Sequence, residues 1–169
     1  MSISMHSASV PIFVRTLGNM LQWLEKAEAF ARARNFDPEN FLGLRLAPDM
    51  LPFTRQIQIA SDAVKNGLAR LAGVEPPKWA DDEASLEALR ARIQKTIDYA
   101  ESLSAAQVDG SEEREIEVPI GPEASITLQG EFMLKHMTLP NFFFHATMTY
   151  ALLRQGGVEL GKMDFLGSP

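Results

Sequence analysis

The sequence predicts an all-α protein, a four-helix bundle with a small β-hairpin inserted before the last helix. Four long segments repeat apolar residues at steps of three and four, which is the spacing of an amphipathic helix. One segment, residues 114–130, alternates apolar and polar residues around a Gly-Pro-Glu turn, as a β-hairpin does. Because each helical stripe must be buried, and mutual burial around a common axis is the simplest solution, four such helices predict a bundle.

The first helix is predicted to begin after Ser9, an N-cap residue with Pro11 in the first turn, and to end near Asn35. Its apolar stripe consists of Val10, Phe13, Val14, Leu17, Met20, Leu21 and Leu24. Residues 36–51 contain prolines, Asp and Gly and therefore form a connection, whose own apolar residues indicate that it packs against the bundle. Asp49 in this connection either caps the second helix or faces a cavity, and of the two the cap is expected.

The second helix is predicted to begin at Pro52 and to end at Gly73. Its stripe consists of Phe53, Ile57, Ala60, Val64, Leu68 and Leu71. The third helix is predicted to begin near Ser85, with a buried face that consists of Leu86, Leu89, Ile93, Ile97, Ala100 and Leu103. The acidic residues 81–83 precede it, where the helix dipole favours negative charge.

The hairpin strands are predicted at residues 114–120 and 124–130. A short helical segment at residues 131–137 leads to the last helix, predicted at residues 140–155 and ended by the glycines that follow it. The length of 169 residues is enough for one core and too short to need two, so residues 1–169 are expected to form one domain.

Composition limits the classes of partner. Sixteen basic and 22 acidic residues give a net charge of −6, which repels nucleic acid and anionic membranes, so neither is expected to be a partner. The absence of cysteine excludes disulfides, cysteine nucleophiles and thiolate metal sites, and fits a reducing compartment. The chain begins without a basic signal region and contains no long apolar run, so a cytoplasmic protein is expected.

One motif resembles a nucleotide-binding loop and is rejected. GGVELGKM, residues 156–163, fits the pattern G-x-x-x-x-G-K. A phosphate-binding loop joins a strand to a helix and needs Ser or Thr after the lysine to hold magnesium, whereas this segment follows a helix and has Met163 in that position. The segment is therefore interpreted as a helix end and its exit turn.

The last helix carries the candidate polar site. Asn141, His145 and Thr149 are four residues apart and share one face, and Gln56 lies at the edge of the apolar stripe of the second helix. A metal site needs three or four converging donors, and a helix usually supplies two of them as a histidine pair at i and i+4, of which one member is present here. Two interpretations stay open: a core imidazole hydrogen-bonded to Gln56 or Asn141, or a polar cavity that holds a ligand.

Aromatic residues give weaker indications. Trp79, in the loop PPKWADDE, either closes the mouth of a pocket or anchors a proline-rich connection to the bundle. The three consecutive phenylalanines at positions 142–144 cannot all face one core, so one of them is expected to meet a dimer partner or the hairpin.

The last helix and its exit, NFFFHATMTYALLRQGGVELGKMDFLG, resemble the C-terminal helix of DinB-like (YfiT-like) proteins. In those proteins H-x-x-x-H-R-G-Q is followed by a leucine-rich turn, a Gly-Val pair and an Asp-containing exit, whereas residues 146–148 of this chain are Ala-Thr-Met. The whole chain, including RLAPDMLPFTRQIQIASD at residues 45–62, is more specifically similar to a bacterial subfamily known as a domain of unknown function. The resemblance implies a four-helix bundle, commonly a homodimer, with a three-histidine zinc or nickel site in the metal-binding members.

The resemblance places His145 on the second histidine of the motif and Asn141 on the first, while Gln56 lies near the position of the histidine on the second helix. Because amides bind zinc far more weakly than imidazoles, we expect no stoichiometric metal and instead a small polar ligand in a pocket lined by Gln56, Asn141 and His145, with Thr149 and Trp79. Two alternatives stay open. One is a zinc- or nickel-dependent hydrolase, or a thiol-dependent transferase or isomerase, with His145 as the metal ligand. The other is a dimeric structural protein without a ligand.

Overall fold

Four long helices form a bundle in the computed structural model, which describes residues 3–121 and 123–167. They are α1 (Val10–Arg34), α2 (Phe53–Ala72), α3 (Leu86–Ser102) and α6 (Leu139–Gln155). The shorter helices are α4 (Ala105–Val108), α5 (Gly130–Met133) and α7 (Lys162–Leu166), and a 3-10 turn spans Pro38–Phe41. Strands β1 (Glu115–Pro119) and β2 (Ser125–Gln129) pair as an antiparallel hairpin, so the predicted fold class is confirmed. Pro122 of the predicted hairpin turn lies outside the described residues.

The long helices are arranged so that each packs against two others. Helix α2 lies between α3 and α6, and α1 contacts α3 and α6 on the opposite side of the core. Phe13 of α1 and Phe142 of α6 are fully buried and meet edge to face, with ring centroids 5.0 Å apart. Within the described parts of the chain, no helix is long and apolar enough to cross a lipid bilayer.

The beginning of α1 differs in detail from the prediction. Ser9 precedes the helix, but its hydroxyl donates to the Met5 carbonyl oxygen at 2.6 Å and accepts no bond from the first turn of the helix. Ser9 is therefore the N-cap residue, as predicted, but its side chain does not cap the helix. Asn35 does end the helix, in a left-handed conformation with φ of 56°.

The beginning of α2 is capped by backbone, not by Asp49. The N–H groups of Phe53 and Thr54 donate to the carbonyl oxygens of Leu44 and Leu42, at 2.8 and 3.3 Å. Asp49 is exposed, and its side chain accepts no hydrogen bond from a described residue, so the predicted cap is wrong. The connection between α1 and α2 folds back far enough for its own carbonyls to take the free N–H groups of the helix.

The beginning of α3 confirms one prediction and corrects another. Ser85 accepts a hydrogen bond from the Ala88 N–H at 3.0 Å, as expected of an N-cap. The carboxylate that reaches the helix end belongs to Glu39, which accepts from the Leu86 N–H at 2.9 Å. Two of the three acidic residues at positions 81–83 point elsewhere, towards the guanidinium of an arginine on α3.

That arginine, Arg92, has a side chain only 2% exposed. Its guanidinium makes ion pairs with Glu83 at 2.8 Å, Asp81 at 2.9 Å and Asp62 at 3.0 Å. It also donates to the carbonyl oxygen of Ala80 at 2.9 Å. The guanidinium therefore fastens the loop before α3 to both α2 and α3.

Two further cations complete the group. Lys65 pairs with Asp62 at 2.9 Å, and Arg55 pairs with Asp81 at 2.6 Å. The group, called the Arg92 cluster below, consists of Arg55, Asp62, Lys65, Asp81, Glu83 and Arg92. Three positive charges face three carboxylates, so the cluster is neutral as a whole, which is the condition under which a guanidinium can be buried.

The last helix is longer than predicted and has an internal irregularity. The chain stays helical from Gly130 through α5, a π-helical turn at Leu134–Thr138 and α6 without a break, so the predicted separation into two helices is wrong. The π turn ends two residues before Pro140, which has no N–H to donate and whose ring crowds the preceding turn of an α-helix. The wider turn lets the helix continue past the proline.

Replacing Arg92 by alanine is expected to lower the free energy of unfolding by about 3–5 kcal/mol, because the variant leaves three carboxylates without their shared partner. Urea unfolding measures the change. Lys78→Ala, at an exposed position in the same loop, is the control and should change the free energy by less than about 0.5 kcal/mol. A loss below about 1 kcal/mol for Arg92→Ala would show that the cluster is not an essential part of the fold.

Candidate functional site

His145 of α6 is hydrogen-bonded to Gln56 of α2, with 2.7 Å between Nδ1 and Oε1. The Gln56 amide nitrogen donates to the Leu51 carbonyl oxygen at 2.9 Å, which fixes the orientation of the amide and leaves Oε1 as the acceptor. His145 Nδ1 must therefore carry the hydrogen. Both side chains are buried, so the predicted partnership between these two residues is present as a bond inside the bundle.

Burial lowers the pKa of His145, because a charged imidazolium is poorly solvated at this position. The neutral ring with hydrogen on Nδ1 satisfies the amide of Gln56 and leaves Nε2 with a lone pair. Within the described residues, Nε2 makes no hydrogen bond. These features fit the interpretation of His145 as a core imidazole that joins α6 to α2.

The other members of the predicted polar row do not converge on His145. Thr149 is fully buried, and its hydroxyl donates to the His145 carbonyl oxygen at 2.9 Å, so it is occupied within its own helix. Asn141 is exposed, and its side chain makes no hydrogen bond to a described residue. The row therefore divides into two buried residues, His145 and Thr149, and one exposed residue, Asn141.

Trp79 anchors the loop before α3. Its ring meets Tyr99 edge to face at 6.2 Å, and the ammonium groups of Lys65 and Lys95 lie 4.9 and 4.5 Å from its centroid. It lines a surface cavity beside Arg92 that does not include Asn141. The structure thus does not bring Trp79 and Asn141 to one pocket.

The donor set does not fit the three-histidine metal site that the family resemblance implies. Gln56 Oε1 is already hydrogen-bonded to His145, and Asn141 lines a cavity whose wall does not include His145. Among residues 3–121 and 123–167, no group of three or more histidine or carboxylate side chains is placed to hold a metal ion. A zinc or nickel ion needs three or four converging donors of this kind.

A cavity of about 450 Å³ lies between α2, the hairpin and the helical segment from α5 to α6. We call it the α2–α6 cavity. Its polar lining consists of Asp62, Asn66, Arg70, Thr138 and Asn141, and its apolar lining includes Ile59, Ala63, Val118, Met133 and Met137. Gly67 allows the close approach of α2 to the π turn, since a Cβ at this position would collide with Thr138.

Of the residues predicted for the ligand site, Asn141 lines the α2–α6 cavity, whereas Gln56, His145, Thr149 and Trp79 do not. Asn66 and Arg70 also line the cavity and are not among the residues predicted from the sequence. The signal that could have identified them is the spacing of Asp62, Asn66 and Arg70, which recur every fourth residue beside the apolar stripe of α2.

His145→Ala is expected to lower the free energy of unfolding by about 1–3 kcal/mol near pH 7.5, through the lost hydrogen bond and a small cavity. The pKa of His145 is lowered in the folded state, so the unfolded chain takes up the proton first as the pH falls. The stabilisation is therefore complete above about pH 6.5, the pKa of an unfolded histidine, and is lost as the pH falls through the folded pKa. Urea unfolding of the wild type and of His145→Ala should show that the difference between their free energies of unfolding narrows towards pH 5.

The control for this measurement is His136→Ala. His136 is exposed on the last helix, so its replacement should change the free energy of unfolding by less than about 0.5 kcal/mol. A difference between wild type and His145→Ala that grows as the pH falls would contradict the neutral, buried imidazole.

Comparison with known proteins agrees with this fold. The family model described as a domain of unknown function, DUF1993, matches residues 5–166. A search of the curated proteins finds no match. The crystal structure of a DinB family member protein from Shewanella denitrificans is similar over 97% of this chain and 92% of that chain, with 37% sequence identity and a TM-score of 0.89. The chain therefore belongs to the DUF1993 family and has the DinB-like fold that its last helix suggested.

Proposed function

We propose that the protein binds a small polar molecule in the α2–α6 cavity and does so without a metal. The observation that carries the proposal is the composition of this cavity. Its volume of about 450 Å³ lies in the range of small-molecule sites, and its wall combines apolar side chains with polar ones, some of which make no hydrogen bond within the described residues. Asn141 and Arg70 are the clearest of these, since neither side chain makes a hydrogen bond to a described residue.

In this proposal His145 supports the site and does not touch the ligand. Asn141 lies one helical turn before His145 on α6, and the hydrogen bond from His145 to Gln56 fixes that turn against α2. Because Asn66 and Arg70 lie further along α2, the same bond sets the separation of the two walls. The His145 imidazole thus shapes the cavity only by holding α6 in position against α2.

The metalloenzyme alternative has less support. It needs two or more further ligands around His145 Nε2, and the described donors are either hydrogen-bonded elsewhere or not convergent. We therefore expect the purified protein to hold no stoichiometric transition metal.

The test combines metal analysis with ligand binding. Protein purified without an affinity tag should contain no stoichiometric zinc or nickel, and a thermal-shift screen of small polar metabolites should yield compounds that raise Tm by binding the folded state. Ala63→Met extends an unbranched side chain into the cavity from α2 and should abolish that stabilisation. Ala106→Met, at an exposed position of α4, is the matched control and should leave it unchanged.

Two results would contradict the proposal. One is about one zinc or nickel ion per chain that is lost on His145→Ala, which would favour the metalloenzyme. The other is a stabilising compound that acts equally on wild type and Ala63→Met, which would place its site outside the cavity.

We also propose that the protein forms a homodimer through the exposed face of α5 and α6. Phe132 and Phe144 lie on this one helical segment and remain 52% and 53% exposed, although each ring contacts a histidine of the same segment. The neighbouring charges, Glu131 and Lys135, are paired with each other, so the face is neutral and suits a second copy of itself.

Light scattering at micromolar concentration should give the mass of a dimer, and Phe144→Ser should give a monomer. Met163→Ser removes an apolar side chain that is 66% exposed on α7 and is the control, for which the dimer should persist. A clean monomer mass for the wild type would refute this proposal and leave the cavity proposal unaffected.

A further inference from the structure

Arg70 differs from the cations of the Arg92 cluster. Arg55, Lys65 and Arg92 each make at least one ion pair with a carboxylate of the Arg92 cluster. Arg70 is partly buried, and its guanidinium makes no hydrogen bond or ion pair within residues 3–121 and 123–167. An arginine fork that lines a cavity and has no acceptor within the described residues keeps its donors available to a ligand.

Arg70 ends a polar row that runs along the cavity wall. Asp62, Asn66 and Arg70 are four residues apart on α2, so they share one face, and all three line the α2–α6 cavity. Eight residues of helix span about 12 Å. The row therefore presents a carboxylate at one end of the cavity, an amide in the middle and a guanidinium at the other end.

The two charged ends of this row are not equivalent. Asp62 Oδ1 is within 3.0 Å of Arg92 and 2.9 Å of Lys65, so the charge of Asp62 is compensated inside the Arg92 cluster. The charge of Arg70 has only the field of Glu75 to oppose it, without an ion pair. Burial lowers the pKa of Arg70. The uncompensated charge in the cavity is consequently positive and lies at the Arg70 end.

We propose that the α2–α6 cavity takes an organic monocarboxylate, whose carboxylate is bound by Arg70 and whose apolar body lies against Met133 and Met137. This inference rests on the function proposed above and names the chemical class of its ligand. The planar guanidinium fork matches a carboxylate with two parallel hydrogen bonds. A second negative charge on the ligand is disfavoured, because Arg70 is the one uncompensated cation among the described residues that line the cavity, and Glu75 lies near it.

The test compares two probes of nearly equal shape, hexanoate and hexanamide, of which only the first is charged. NMR titration of the full chain near pH 7.5 should show hexanoate binding at least tenfold more tightly than hexanamide, with shifts at the side-chain amides of Asn66 and Asn141. Arg70→Gln should reduce the ratio of the two affinities to about one, and Arg70→Lys should leave an intermediate ratio. Arg34→Gln, on an exposed part of α1 outside the cavity, is the matched control and should leave the ratio unchanged.

The outcomes separate this inference from the proposed function. Equal binding of hexanoate and hexanamide in the cavity would overturn the carboxylate assignment and leave the cavity as a binding site. A tenfold preference that survives Arg70→Gln would also overturn the assignment, because Arg70 would not be the anchor. Inorganic phosphate that competes with hexanoate at equal concentration would overturn the restriction to one charge. Failure of both probes to shift any signal of the cavity would overturn the inference alone, because the thermal-shift screen tests the proposed function separately.

Discussion

The burial of Arg92 is the constraint on which the arrangement of α2, α3 and the loop between them depends. A guanidinium at 2% exposure has to be matched by negative charge, and its three carboxylate partners come from α2 and the loop. Each partner fixes one part of the chain relative to α3. Once α2 is held in this way, it can present Gln56 to α6, and Asn66 and Arg70 to the cavity whose edge Asp62 shares with the cluster.

The Gln56–His145 bond is the second such contact, and it stands where the resemblance to metal-binding relatives places the ligands of an ion. A metal joins two helices through several strong bonds, whereas here one neutral hydrogen bond of 2.7 Å does so together with apolar packing. The amide orientation follows from the Leu51 carbonyl, and the imidazole tautomer follows from the amide. The Gln56–His145 pair therefore fixes one position of α6 relative to α2 without any bound ion.

The sequence predicted the elements well where the physical signal is local. The apolar stripes, Ser85 as an N-cap and the hairpin pattern depend on residues close to one another in the chain, and the structure confirms them. The errors concern partners that are distant in sequence. The sequence places Asp81 and Glu83 at the helix dipole, because Arg92 becomes their neighbour only when α3 packs against the loop. It indicates Asp49 as a cap, because the backbone carbonyls of Leu42 and Leu44, which take that role, carry no sequence signal.

The candidate site was predicted only in part, for the same reason. The pairing of His145 with Gln56 was accessible, since both residues could be placed on facing helices by pattern and resemblance. Arg70 was not, because an arginine on a helix surface is ordinarily solvated, and only the packing of the hairpin and α5 beside it makes a cavity there. The sequence allows two roles for Trp79, a pocket lid or an anchor of the loop. Its contacts with Tyr99 and Lys65 fit the anchor.

The π turn before α6 determines which side chains meet on the cavity wall. In a regular α-helix, residues five apart differ in direction by roughly 140°, so Met133 and Thr138 would face different sides of the segment. A π turn closes its hydrogen bonds between residues five apart and brings them almost into line. Met133, Met137 and Asn141 are four residues apart and share one face of the segment, and the π turn brings Thr138 towards that face, so all four line one cavity. The helical phase changes once, at the single position where Pro140 already prevents regular bonding, and that change aligns the wall opposite Arg70.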